Sequence, residues 1–201
     1  ELFAKEGLMP LYAVAWPAQG IYTDFDLTDV SQLKGLRIRA PNINTQRFVE
    51  NVGGKPTETE EADIPTAFST GRVDAMITSS STGKSMSAWD YVKHYNDAKL
   101  WLPKNIVFVN KRAFDRLDES TQQAVLDAAK AAETRGWEAS KADADESAKV
   151  LTENGFTISE PDAKLAEDLK AAGDKLFQDW KSRAGEEGQQ LLERYRADLD
   201  A

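Results

Sequence analysis

The chain has 201 residues, enough for one large domain or two small lobes with a substantial core, and it carries 34 acidic against 25 basic side chains, a formal charge of −9. That balance argues against nucleic acid and anionic membrane surfaces as partners, because both require clustered cations. With no cysteine there is no disulfide, thiolate metal site or cysteine nucleophile, and the redox compartment stays open.

No apolar run reaches the eighteen or so residues of a membrane span, so no direct membrane insertion is expected. The opening ELFAKEGLMPLYAVAW is too acidic, and its apolar core too short, for a signal peptide. PLYAVAW at 10–16 reads as a strand. In QLKGLRIRAPN at 32–42, Leu36, Ile38 and Ala40 alternate with Arg37 and Arg39, which predicts a short strand bounded by Gly35 and Pro41. Arg39 stands at the carboxyl end of that strand, where open α/β sheets place small ligands. A guanidinium there can hold a carboxylate through two parallel charge-assisted bonds; the competing assignment is a structural ion pair. Next come a helix in NTQRFVENV at 44–52, a short KPTET segment at 55–59, a helix in DIPTAFST at 63–70, a strand in VDAMIT at 73–78 and a helix in MSAWDYVKHY at 86–95. Gly53 and Gly71 follow two of these helices, where a left-handed residue ends a helix at little cost.

Residues 98–111, AKLWLPKNIVFVNK, predict one further strand with Ile106, Phe108 and Asn110 on one face and Val107 and Val109 on the other, hence a buried one. From Asp118 the pattern is nearly continuous helix to Asn154, opened by a Ser120 to Gln123 capping box. At 1.5 Å per residue such a helix spans roughly 50 Å, more than one small lobe needs, so it is expected to bridge two bodies. Phe156 to Ser159 suggest a short returning strand, followed by helices at 162–182 and 186–198.

No Gly-rich phosphate loop, G-x-S-x-G elbow or His-Glu metal motif is present, and no catalytic residue is assigned. The single histidine, His94, is expected in a solvated, polar helical end. Glu58, Glu60, Glu61 and Asp63 are expected to serve as favourable negative charge ahead of a helix. Besides a small-molecule receptor, two alternatives stand: a helical protein-interaction module built on residues 118–198, and an α/β enzyme acting on a small acid.

Together, LKGLRIRAPN, the VGG-x-P turn at 52–56, the helix ending in STGRVDA, the WLPKNIVFVNK strand and the DESTQQAVLDAAK helix resemble the substrate-binding proteins of TRAP transporters, the DctP-type family. The resemblance runs from about Leu11 to Leu192. It implies an α/β fold of two lobes, like a type II periplasmic binding protein, crossed by a long bridging helix. It also implies a periplasmic receptor that takes a small organic acid to a sodium-driven membrane permease. The lobes are expected as a ligand-binding lobe two at 10–97, a strand and short helix returning to lobe one at 98–117, the bridging helix at 118–154, and a strand and helices packing on lobe two at 155–201. Members of the family are longer, so the first lobe is expected to be incomplete in this chain.

The family's carboxylate-binding arginine falls on Arg39. Gln19, in AVAWPAQGIYT, takes the place where many members put a further polar contact. In MITSSSTG, Thr78 and Ser80 are the hydroxyls nearest the ligand, while Trp16 and Trp101 are candidates for its apolar wall. The metal-binding branch has an acidic residue and a tryptophan where this chain has Ile77 and Thr78, so neither a bridging metal nor any other cofactor is expected.

Overall fold

In the computed structural model, which describes residues 2–199, the chain alternates short strands and helices as far as Phe114 and is then almost wholly helical. Its elements in order are α1 (Leu2–Lys5), β1 (Leu8–Ala15), β2 (Gln19–Thr23), β3 (Arg37–Arg39), α2 (Ile43–Asn51), β4 (Lys55–Thr57), α3 (Ile64–Ser69) and β5 (Ala75–Ser79). There follow α4 (Ser80–Ser85), β6 (His94–Trp101), β7 (Lys104–Asn110), α5 (Lys111–Phe114), α6 (Glu119–Glu153), β8 (Thr157–Ser159) and α7 (Ala163–Leu199).

Local chemistry sets most of these boundaries. The Asn42 side chain accepts from the Asn44 and Thr45 amides to open α2, and Gly53, at φ 80°, reverses the chain beyond its end. The 35-residue α6 starts on Asp118, not in a Ser120 to Gln123 capping box. Its carboxylate accepts from the Thr121 amide at 3.0 Å and from the hydroxyls of Ser120 and Thr121. Those bonds, Ser120's foremost, hold Asp118 far below the usual carboxylate range. The predicted helix at 86–95 is instead a single 3-10 turn at Ala88–Asp90 entered through a left-handed Ser87. Burial of Val92 and Tyr95 in the core then draws the chain into β6. His94 is accordingly a half-buried strand residue with a buried, unpartnered Nδ1, not a solvated helix end. At Gly185 (φ 61°, ψ −167°) α7 breaks into two helices, and the second folds back, bringing Arg196 to 5.7 Å from the Phe177 ring.

Six strands form one mixed sheet in the order β4-β3-β5-β2-β6-β8, in which β2 runs antiparallel to both of its neighbours. Alternation along the strands sends Ile21, Ile38, Ala75 and Ile77 to one face, against Phe48 and Val49 of α2 and Leu165 and Leu169 of α7. Tyr22, Met76 and Tyr95 point to the other, against Ile64, Leu151 and Phe156. β1 and β7 form a separate two-stranded antiparallel sheet. The predicted strand at 98–111 is therefore two strands, interrupted at Leu102 and Pro103, with residues 98–101 in the large sheet and β7 in the small one. Likewise β1, expected in the ligand-binding lobe at 10–97, pairs with β7.

The chain crosses between the sheets at residues 16–18 and 102–103, and the Trp16 amide clamps the crossings together by donating to the Pro103 carbonyl at 2.8 Å. α6 spans both sheets. Near its middle Glu133 accepts from the Ala13 amide at 3.0 Å and Trp137 Nε1 donates to the Ala13 carbonyl at 2.8 Å. Farther along, Asp143 pairs with Lys84 of α4 at 2.8 Å and accepts from the Ser81 hydroxyl.

β7 departs from its expected burial. Ile106, Val107 and Phe108 are 43%, 39% and 48% exposed, because β7 has β1 as its strand neighbour and a free edge among the described residues. Such an edge pairs readily with another chain. Sedimentation of the 201-residue chain should show concentration-dependent self-association that Phe108→Ser reduces; a monomer at all concentrations would contradict it.

The Asp143 latch carries its own pH signature. Lys84, and then Ser81, hold the Asp143 carboxyl below its ordinary value of 3.8. A depressed folded value means the contribution is present above pH 3.8 and lost as pH falls through the folded value. Asp143→Asn should therefore lower stability at pH 7 by about 1 kcal/mol, the upper range for a partly exposed pair. In denaturation curves the gap from the parent chain should close below about pH 4.

Candidate functional site

The two arginines of β3 meet different fates. Arg37 is held by Asp74, which accepts from Nε at 2.8 Å, from Nη2 at 2.5 Å and from the Arg37 amide at 2.9 Å. The structural ion pair weighed for Arg39 thus belongs to its neighbour. Arg39, at the carboxyl end of the strand, is only 6% exposed, yet it forms no ion pair among the described residues. Its Nε donates to the Thr59 carbonyl at 3.0 Å, which leaves the two Nη groups as a fork for a ligand. Burial draws this guanidinium down from its usual value, opposed by the fields of Glu61 and Glu60. A buried cation with only a carbonyl partner carries an unrepaid desolvation cost that an anion would offset.

Arg39 opens into a cavity of about 260 Å³ at the junction of the two sheets. The first crossing and the start of β2 contribute Trp16 and Gln19, the second crossing and β7 Pro103 and Asn105, and the carboxyl ends of β3 and β5 bring Arg39, Pro41, Thr78 and Ser79. Pairing explains the convergence. In the large sheet Gln19 lies opposite Ser79 on one side and Trp101 on the other, with Gly20 opposite Thr78. A single end of the sheet thus presents an amide, two hydroxyls and a guanidinium.

Of the residues expected to contact ligand, Arg39, Gln19, Thr78 and Trp16 line this cavity. Ser80 and Trp101 do not. The Ser80 hydroxyl donates to the Ala144 carbonyl of α6 at 3.4 Å, because the turn into α4 aims it at the long helix. Trp101 packs edge-on against Phe48, ring centroids 5.2 Å apart, and its side chain lines a different cavity between α2, β6 and α7. That second cavity is larger, about 500 Å³, but mostly apolar, and its cations are neutralised: Lys99 by Asp97 and Glu160, Lys170 by Asp174. Sequence patterns miss Glu61, Ser79, Thr82 and Asn105 as lining residues of the Arg39 cavity. Ser79 adjoins Thr78, and its side chain caps α4 by accepting from the Thr82 amide at 3.2 Å. No three His, Asp or Glu side chains among the described residues are grouped to hold a metal ion.

The cavity floor depends on a close approach of α4 to β2. A Cβ on Gly83 would lie 2.2 Å from the Tyr22 hydroxyl, which donates to the Ser79 carbonyl at 3.0 Å. Burial holds the Tyr22 phenol neutral, its pKa well above the ordinary value, so it remains a donor across the whole working range of pH.

Residues 6–183 match the family DctP, bacterial extracellular solute-binding protein, family 7. The Bordetella pertussis extracytoplasmic solute receptors DctP7 and DctP6, whose crystal structures show binding of pyroglutamic acid, superpose on this chain with TM-scores of 0.91 and 0.92 at 42% and 40% identity. The matches cover 97% and 98% of this chain and 65% of each receptor. A marine metagenome TRAP solute-binding protein specific for pyroglutamate matches at 28% identity and a TM-score of 0.89, over 98% of this chain and 64% of that one. The chain thus spans about 65% of the length of these relatives. No curated protein matches it.

Gly83→Ala should displace Tyr22, and through it Ser79, at a cost of about 1–3 kcal/mol in chemical denaturation, the usual range for an overpacked core. Unchanged stability would mean that the two elements can separate freely.

Proposed function

This chain belongs to the bacterial extracellular solute-binding proteins of the DctP family, and we propose that it is an extracytoplasmic receptor for a small organic carboxylate, with pyroglutamate the first ligand to test. One observation carries the assignment: Arg39 is buried at the end of a central strand, faces a cavity and has no carboxylate partner among the described residues. Its Nη fork takes the ligand carboxylate in two parallel bonds. Gln19, Thr78 and Asn105 serve the polar remainder, and Trp16 with Pro103 walls off the carbon skeleton.

The identity above 40% to one Bordetella receptor and of 40% to another supports pyroglutamate over other acids. Pyroglutamate is a compact five-membered lactam with one carboxylate, a size and charge compatible with a 260 Å³ cavity and one fork. In this proposal the protein is a receptor and not an enzyme. It hands its ligand to a sodium-driven TRAP permease in the membrane, while no described helix of its own is long and apolar enough to cross one. The cavity's position at the crossings between two sheets, bridged by α6, supports closure of the lobes around the ligand.

Calorimetry with L-pyroglutamate tests this. Arg39→Ala should weaken binding by about 30-fold or more, the loss of a desolvated charge-assisted pair of roughly 2–5 kcal/mol. Arg39→Lys should recover little of it, because an ammonium lacks the planar fork. Equal affinity in all three proteins would remove Arg39 from the site, and recovery of chemically altered ligand would refute a pure receptor.

A further inference from the structure

We infer that Glu61 makes this a receptor for acids that carry a hydrogen-bond donor, such as a lactam or amide N–H, away from their carboxylate, and that it excludes dicarboxylates. The inference rests on the carboxylate-receptor function proposed above and specifies its ligand class.

Glu61 begins a 3-10 turn before α3 and lines the same cavity as Arg39. The two charges lie within each other's Coulombic reach, but they do not pair: no ion pair joins them within 4.0 Å among the described residues. The Arg39 Nε is committed to the Thr59 carbonyl, and the Glu61 carboxylate has no hydrogen-bond donor among the described side chains and amides. Within about 260 Å³, then, the molecule holds a cation and an anion apart, each open to the cavity.

A carboxylate accepts only, so whatever sits against Glu61 must donate. A ligand with an anion at one end and an N–H at the other satisfies both groups at once. A dicarboxylate of the same length satisfies Arg39 and sets its second charge against Glu61, a like-charge contact that disfavours it. The neutral polar groups, Gln19, Thr78 and Asn105, donate or accept and discriminate less. Glu61 is therefore the residue whose charge sets the choice.

Calorimetry with three five-carbon-framework probes separates the possibilities: L-pyroglutamate, N-methyl-L-pyroglutamate, in which the donor is blocked, and glutarate. The unaltered protein should bind pyroglutamate at least about tenfold more tightly than either of the others, a factor worth about 1.4 kcal/mol. Glu61→Gln removes the charge and should admit glutarate, shrinking its disadvantage to about threefold or less. Glu61→Leu also removes the acceptor and should make pyroglutamate and its N-methyl form nearly equal. Glu61 is solvent-exposed, so both variants should retain the parent melting temperature, which circular dichroism checks. If pyroglutamate binding depends on Arg39 but both Glu61 variants keep the parent preferences, the Glu61 assignment is overturned and the carboxylate receptor stands. If no acid binds, or Arg39→Ala changes nothing, the receptor function fails and the Glu61 assignment falls with it.

Discussion

A guanidinium buried without a carboxylate partner among the described residues is the constraint around which this structure is arranged. Taking Arg39 out of water is costly, and one carbonyl bond from Thr59 repays little of it. The position persists because the side chain is carried by β3, held between β4 and β5, with Ile38 anchored in the core beside it. The neighbouring arginine shows the ordinary solution: Arg37, on the opposite side of Ile38 and more exposed, is fully engaged by Asp74. One strand thus separates a structural cation from an available one by two residues, the distance over which side chains return to the same side of a strand.

Holding that cation ready requires that nearby anions stay near without neutralising it. Glu60 and Glu61 do so from the loop after β4. Their fields oppose the effect of burial on the guanidinium, while the absence of a direct ion pair among the described residues leaves its Nη fork open. A self-satisfied Arg–Glu pair would make the ligand compete with an internal carboxylate. Separation of the charges makes the cavity complementary to a molecule that is itself polarised, anionic at one end and donating at the other.

The cavity also lies where the two sheets meet. Its walls come from both crossings between the sheets, clamped by the Trp16 to Pro103 bond, and from the start of α4. α4 is tied to α6 through Asp143, which binds Lys84 and Ser81, and α6 in turn is bonded to β1 through Glu133 and Trp137. A continuous path of hydrogen bonds and packed helix therefore joins the groups lining the cavity to the smaller sheet some distance away. Rigid elements linked through two short crossings are the usual basis of hinge closure.

Short-range rules made much of this legible from sequence. Alternation at 36–40 identified β3 and put Arg39 at its end; Gly53 and Gly71, at φ 80° and 64°, end their helices in the left-handed region; the long helix runs within a residue of its predicted limits. These features depend on spacings of two to four residues, which a sequence displays directly. What only the tertiary structure decided was which faces meet. Ser80 and Thr78 are two residues apart, yet one turns to α6 and the other to the cavity, because the chain passes from strand to helix between them. Trp101 sits opposite Gln19 in the sheet but sends its ring to Phe48. β1 pairs with a strand about a hundred residues later, and Glu61 reaches the Arg39 cavity only through the parallel pairing of β3 with β4. Such placements depend on long-range strand register and on the packing of α2, α6 and α7, and no local pattern encodes them.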